Sequence, residues 1–198
     1  MINKKIMLII GLTFIISGFI IYAVNCYFNY RVQKEDENFV EQFMEQEFAD
    51  EKEETEIEEE IVEDYTGYLA VLEIPKIDLK TGVVMSSKDY STMNRNVSIY
   101  PTSDMPNYKY GNTILFAHNG TSKVSYFRNI DRLEKDDVIF IYYDEIKYSY
   151  KVIDKYYVKE NSKEPLMRKD DKSIITLITC KKGNNRYRLI IVGEKYYE

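Results

Sequence analysis

Residues Thr176–Glu194 read TLITCKKGNNRYRLIIVGE. A β-branched, apolar run ends in Cys180, and eight residues later Arg188 opens a second run, LIIV. Side chains branched at Cβ lose rotamer freedom in a helix and pack well on a pleated surface, so both runs are predicted to be strands. They have company. From Tyr65 onward the chain is a series of short apolar runs between polar turns: YLAVLEIP, KTGVV, VSIY, NTILFAH, DVIFIYY, IKYSYKVIDKYYV, SIITLITC and RYRLIIVGE. Eight such runs predict an all-β domain, a small barrel or sandwich. Asp144 and Glu145 separate two of them and predict a hairpin, with Tyr148, Tyr150 and Val152 alternating onto one face. Two segments have helical spacing instead, SSKDYSTMNRN from Ser86 and SKVSYFRNIDRL from Ser122, where Tyr126, Ile130 and Leu133 fall on one side. The 134 residues from Tyr65 to the end suffice to bury a core.

The first third of the chain has a different composition. Lys4 and Lys5 precede an uncharged, mostly apolar run of 19 residues, Ile6–Val24, whose only Ser or Thr residues are Thr13 and Ser17. As a helix it would measure about 28 Å, close to the hydrocarbon thickness of a bilayer. The run does not end in a small-x-small pair of the kind a signal peptidase cleaves, because Ala23-Val24-Asn25 places a bulky amide there, and a lipoprotein signal ending at Cys26 fails for the same reason. An uncleaved signal-anchor is predicted, its lysines on the cytoplasmic side and the rest of the chain outside. Glu35–Asp64 then holds sixteen acidic residues against one lysine, a charge of about −15. Phe39, Val40, Phe43, Met44 and Phe48 recur near helical spacing inside it. A helical or disordered stalk is expected, an extended spacer that does not partner the domain's working groove. Residues 1–30, 31–64 and 65–198 therefore divide into membrane anchor, acidic stalk and folded domain. The domain itself carries 22 basic and 17 acidic residues, so the acidic pI of 5.1 belongs to the stalk. No basic-aromatic pattern of a nucleic-acid binder stands out.

The chain has two cysteines and one histidine. Cys26 lies where the apolar run ends, too far from a domain core for pairing with Cys180 to be reasonable. Cys180 is then a lone thiol facing an oxidising compartment, which needs either burial as a small hydrophobe or a chemical role. His118 ends the run NTILFAH where a strand gives way to a loop, a common place for reactive groups. A lone thiol, a lone imidazole and a guanidinium, each at the end of a β-run, can meet at one barrel rim. Together they supply what acyl transfer needs: a sulfur nucleophile, a proton shuttle and a fixed cation for the oxyanion. One His and one Cys do not fill a zinc shell, so no metal is expected.

These residues resemble the sortases, cysteine transpeptidases of Gram-positive cell surfaces. TLITC matches the family's Thr-Leu-x-Thr-Cys signature, RLIIVGE is similar to the Arg-x-Val-Val-x-Gly strand after it, and FAHNG is similar to the segment that holds the family's histidine, 62 residues upstream of the cysteine. With LEIPKIDLK the likeness runs from about Tyr68 to Glu194. It implies a closed eight-stranded barrel with one or two short helices, and a reaction in which a Leu-Pro-x-Thr-Gly-like sorting signal is cut through a thioester and the acyl group passes to an amine on the cell wall or a pilin. Carried over residue by residue, Cys180 is the nucleophile, His118 the proton donor and acceptor, and Arg188 the cation at the carbonyl oxygen. Arg186, two residues earlier, lacks the apolar strand directly after it. Thr179 and Asn119 are expected at the substrate. The chemistry implies no cofactor, and the implied partners are surface proteins bearing sorting signals and an amine acceptor on a peptidoglycan precursor or pilin. The short interval before SIITLITC and the absence of an Asp-Pro-aromatic lid imply a compact class A or D type, with class B next. A membrane-anchored, non-catalytic barrel that binds peptides is the alternative reading.

Overall fold

A computed structural model of the chain describes residues 4–48, 67–86, 96–163, 166 and 171–197. The eight runs become eight strands: β1 (Tyr68–Ile74), β2 (Leu79–Met85), β3 (Val97–Ile99), β4 (Asn112–Phe116), β5 (Val138–Tyr143), β6 (Ile146–Lys159), β7 (Ile174–Lys181) and β8 (Asn184–Lys195). They close into a barrel in the order β1-β2-β3-β4-β7-β8-β6-β5. Closure pairs every strand on both sides and removes the exposed edges that invite aggregation. Alternation decides which side chains face in. On β6, Tyr148, Tyr150 and Val152 are buried while Lys147, Lys151 and Ile153 are exposed, and the core they enter includes Leu72, Ile99, Leu115, Ile141, Leu177 and Ile191. The β5–β6 hairpin turns through Asp144 (φ 53°) and Glu145 (φ 59°), two consecutive left-handed residues, as a two-residue turn between right-twisted strands demands.

Two neighbouring pairs are parallel, β2 with β3 and β4 with β7, and the rest are antiparallel. The β4–β7 pair matters for function. Parallel neighbours end at the same rim, so the loop after β4 and the end of β7 come together, and β8, antiparallel to β7, starts there too. The histidine, the cysteine and the arginine leave three strands at one place.

Two expectations require correction. The segment from Ser122 is not an α-helix. It is a run of tight turns closed by bonds to the third residue back, Ser125 N–H to Ser122 O at 3.1 Å and Arg128 N–H to Ser125 O at 3.1 Å, ending in the 3-10 turn Ile130–Arg132. Such turns place Tyr126, Ile130 and Leu133 on the core much as a helix would, which is why the spacing misled. Meanwhile the Phe127 N–H donates to the His118 carbonyl at 3.2 Å, tying the loop to its own start. The other helical expectation, from Ser86, falls on residues that are outside the described ones except for its ends.

The second correction concerns the stalk. One helix, α1 (Lys4–Phe48), runs through the apolar segment and into the acidic one. Its first part stands clear of the barrel, with Leu8, Phe14, Ile15, Phe19 and Ile21 all exposed, and is long and apolar enough to cross a membrane. Its second part is not an extended spacer. Val32, Asp36 and Phe39 are buried, at the i, i+4, i+7 spacing of one helix face. Phe39, with Val40, Phe43 and Met44, packs on Val71, Tyr68, Phe140 and Tyr142 of the barrel. The Phe39 and Tyr68 rings stack with centroids 4.5 Å apart. The density of charge hid an apolar stripe that the barrel covers. Residues 49–64 of the expected stalk are outside the described ones.

Candidate active site

His118, Cys180 and Arg188 line one cleft of about 470 Å³ at the barrel rim. Tyr100, Phe116, Val158, Leu166, Ile178 and Ile190 give it apolar walls, and Glu160, Ser162 and Thr179 add polar groups. Each reactive residue is positioned by the sheet. Cys180 and Arg188 are direct cross-strand partners in the β7–β8 ladder, which brings their Cβ atoms to about 5 Å in an antiparallel pair. Between Cys180 and Lys181 the register jumps, since Lys181 pairs with Asn184. Residues Asn185, Arg186 and Tyr187 therefore bulge out of that ladder. Bulges re-aim side chains and occur often beside active sites. Here the Arg188 guanidinium folds back onto the bulge, its Nη1 donating to the Asn185 carbonyl at 2.6 Å, while its Nη2 lies 3.6 Å from the Glu160 carboxylate. Glu160 is more than half exposed, so that ion pair is worth at most about 1 kcal/mol. The backbone contact does more to orient the cation. Arg186 is exposed and is not among the cleft's lining residues; its carbonyl accepts the Glu160 N–H at 2.9 Å.

On the other side, β4 pairs with β7 up to Phe116 opposite Ile178, and the Ala117 N–H reaches the Ile178 carbonyl at 3.4 Å. Two side chains extend this join past the end of the ladder. The Thr179 hydroxyl donates to the Ala117 carbonyl at 2.7 Å, and the Asn119 amide donates to the Cys180 carbonyl at 2.9 Å. Thr179 is buried. These two residues, expected at the substrate, clasp the residues flanking His118 to Thr179 and to the Cys180 backbone. Both cysteines are free thiols, Cys26 exposed and Cys180 half-buried. Among the described residues no cluster of three or more His, Cys, Asp or Glu side chains could hold a metal ion.

Sequence reasoning missed Glu160, Ser162 and the apolar walls. Glu160 follows β6 and meets Arg188 only because β6 lies beside β8 in the barrel, a neighbourhood that no local spacing reveals. A thiol, an imidazole and a guanidinium around an apolar-walled cleft form an arrangement chemically able to cleave and re-form an acyl bond.

Residues 72–196 match the family model of the sortase domain. Sortase A of Bacillus anthracis is 28% identical over 130 residues, an alignment covering 62% of this chain and 57% of that protein. Among solved structures, sortase A from Corynebacterium diphtheriae superposes with a TM-score of 0.62 at 22% identity, over 66% of this chain and 61% of that one. Sortase C1 from Streptococcus agalactiae does so with 0.63 at 22%, over 87% and 97%. The chain thus spans less than two thirds of the length of the first two relatives. At these identities the solved structures speak for the fold, which is the closed barrel described above.

Proposed function

The chain belongs to the sortase family, and from that premise we propose that it is a cysteine transpeptidase that cuts a Leu-Pro-x-Thr-Gly-like sorting signal and transfers the protein to an amine. The observation that carries this reading is the pairing of Cys180 with Arg188 across one ladder, with His118 lining the same cleft. The Cys180 thiolate attacks the threonine carbonyl carbon, forming a C–S bond and an oxyanion that Arg188 faces. Collapse breaks the Thr–Gly C–N bond, and His118 hands its proton to the leaving amine. An acceptor amine then attacks the thioester, His118 takes its proton, and the C–S bond breaks to return the thiolate. Protons and electrons balance over the cycle without a cofactor. The apolar walls suit the Leu-Pro portion of the signal. Thr179 and Asn119 keep the two reactive loops together and border the substrate.

On this reading Ile6–Val24 is a single-pass anchor with Lys4 and Lys5 inside and the barrel outside the cell. The substrates are surface proteins bearing sorting signals, and the acceptor is an amine of a peptidoglycan precursor or a pilin. Only fourteen residues separate β6 from β7, which supports a compact class A or D type over class B. The test is to incubate the full chain in detergent with a panel of sorting peptides and an added amine, and to follow products by mass spectrometry. Cleavage between Thr and Gly, amine-dependent product and an acyl adduct on Cys180 are expected. A panel that binds without cleavage would instead identify a peptide-binding barrel.

A further inference from the structure

The proposed mechanism leaves one buried carboxyl unused. Asp36 on α1 is 4% exposed, although its helix segment is among the most acidic of the chain and its neighbours Glu35 and Glu37 face solvent. Both its oxygens are engaged by the barrel. Oδ1 accepts the Gly82 N–H at 2.7 Å, and Oδ2 accepts the Thr81 hydroxyl at 2.9 Å. The approach is so close that a Cβ at Gly82 would lie 2.9 Å from Asp36 Oδ1 and 2.5 Å from the Tyr68 ring, so only glycine fits. Tyr68 in turn stacks on Phe39 and accepts a hydrogen bond from Asn96 at 2.9 Å. A carboxyl sunk into a joint costs desolvation that a spacer helix has no reason to bear.

The joint leads to the cleft. The Tyr126 hydroxyl is enclosed next to Asp36 and Thr81 and makes no aligned hydrogen bond. Tyr126 belongs to the loop that leaves His118, and the next residue, Phe127, is fully buried and donates its N–H to the His118 carbonyl at 3.2 Å. Lys123, in the same loop, borders a cleft with Tyr27 and Tyr30 of α1. The helix therefore backs the His118 loop at two points.

We propose that Asp36 is a positioning residue: from α1 it holds the Gly82–Tyr126 seam and, through Phe127, the loop that presents His118 to the cleft. A general acid displaced by less than an ångström still lets peptide bind but lowers the rate of the proton-transfer step. The effect falls on kcat more than on KM. The inference rests on His118 acting as the proton shuttle.

The chain contains a single histidine, so ring-labelled full-length protein in detergent micelles has one imidazole to follow by NMR. Asp36→Ala is expected to shift the His118 ring resonances and to lower kcat about tenfold, with KM within about twofold. Asp36→Asn keeps an acceptor for Gly82 and a partner for the Thr81 hydroxyl, and should restore both. Lys34→Ala, on the exposed side of the same helix, should change neither. If Asp36→Ala fails to fold, Phe39→Ala loosens the seam through Tyr68 and gives the same readings. The proposal is overturned by unchanged His118 resonances and kcat in a variant whose α1 is shown by protease sensitivity to have detached, or by Asp36→Asn being as harmful as Asp36→Ala. A wild-type chain that cleaves no peptide would sink the proposed function, and the resonance measurement would then decide the positioning role by itself.

Discussion

At the cleft, Cys180 and Arg188 remain partly exposed, and the bonds that fix their surroundings run through backbone carbonyls of Ala117, Cys180 and Asn185. At the seam between α1 and the barrel the arrangement is reversed. Asp36 is sealed, both its oxygens are occupied, and an aromatic stack closes over it. At the cleft the side chains stay open to solvent on one side while scaffold carbonyls hold them in place, as the Asn185 carbonyl holds the Arg188 guanidinium. The joint commits both oxygens of its carboxyl, because a buried acceptor left unpaired costs about 1–3 kcal/mol. The two sites differ in chemistry even though one loop, His118 to Phe127, touches both.

The contrast can be broken by substitution. The largest expected effect is that of Cys180→Ala, which should reduce peptide cleavage to background while the thermal unfolding midpoint stays close to that of the wild type. A variant that loses stability as well would mean that the cleft thiol is core after all. Next is the pair of arginines on β8. Arg188→Ala should lower kcat/KM about 100-fold or more, the usual loss on removing an oxyanion donor. Arg186→Ala, exposed on the bulge, should stay within about threefold. Equal losses would show that the bulge does not discriminate between them.

The seam gives the smallest effect, and it depends on pH. Burial, opposed in part by the bonds from Thr81 and Gly82, holds the Asp36 carboxyl up at about 6 against an ordinary value of 3.8. The charges of Glu37 and Glu35 lie beside the seam, and the hydroxyls of Tyr68 and Tyr126 face it, their own ionisation pushed up mainly by burial. A carboxyl whose pKa is raised on docking binds its proton more tightly in the docked state. Its favourable contribution to docking is complete below about pH 4 and is lost as pH rises through about 6. Amide exchange at Gly82, corrected for intrinsic rates, should therefore be better protected at pH 5 than at pH 7. The opposite trend would show that the carboxylate, not the acid, holds the helix.

Much of this was legible in the chain. β-branched and aromatic runs between polar turns announced each strand, because a strand's burial pattern is local and has period two. That His118, Cys180 and Arg188 would meet in one cleft was legible because each sits at the end of such a run, and a barrel brings strand ends to its rims. The docked face of α1 was not legible. Phe39, Val40 and Phe43 had the spacing, but the surface that receives them is assembled from Tyr68, Val71 and Tyr142, which no local pattern joins. Sixteen acidic residues in thirty then made solvent the obvious partner. Likewise, Tyr126, Ile130 and Leu133 have helical intervals because successive tight turns also return to the core about every three or four residues. Glu160 lies 28 residues from Arg188 in sequence and meets it only through β6–β8 pairing.

The uninterrupted course of α1 from Lys4 to Phe48 sets a scale. With Ile6–Val24 in the bilayer as proposed, the first buried side chain of the docked part, Val32, lies eight helical steps beyond Val24, a climb of about 12 Å. A flexible tether would let an enzyme sweep a volume, with a reach growing as the square root of its length. A docked rod allows no such sweep. The cleft is carried at a nearly constant altitude, free to spin about the membrane normal and to drift laterally, but not to rise. Its encounters become a search over a surface, and a polypeptide bond is within reach only if something else, such as the substrate's own attachment to the same membrane, brings it to that height.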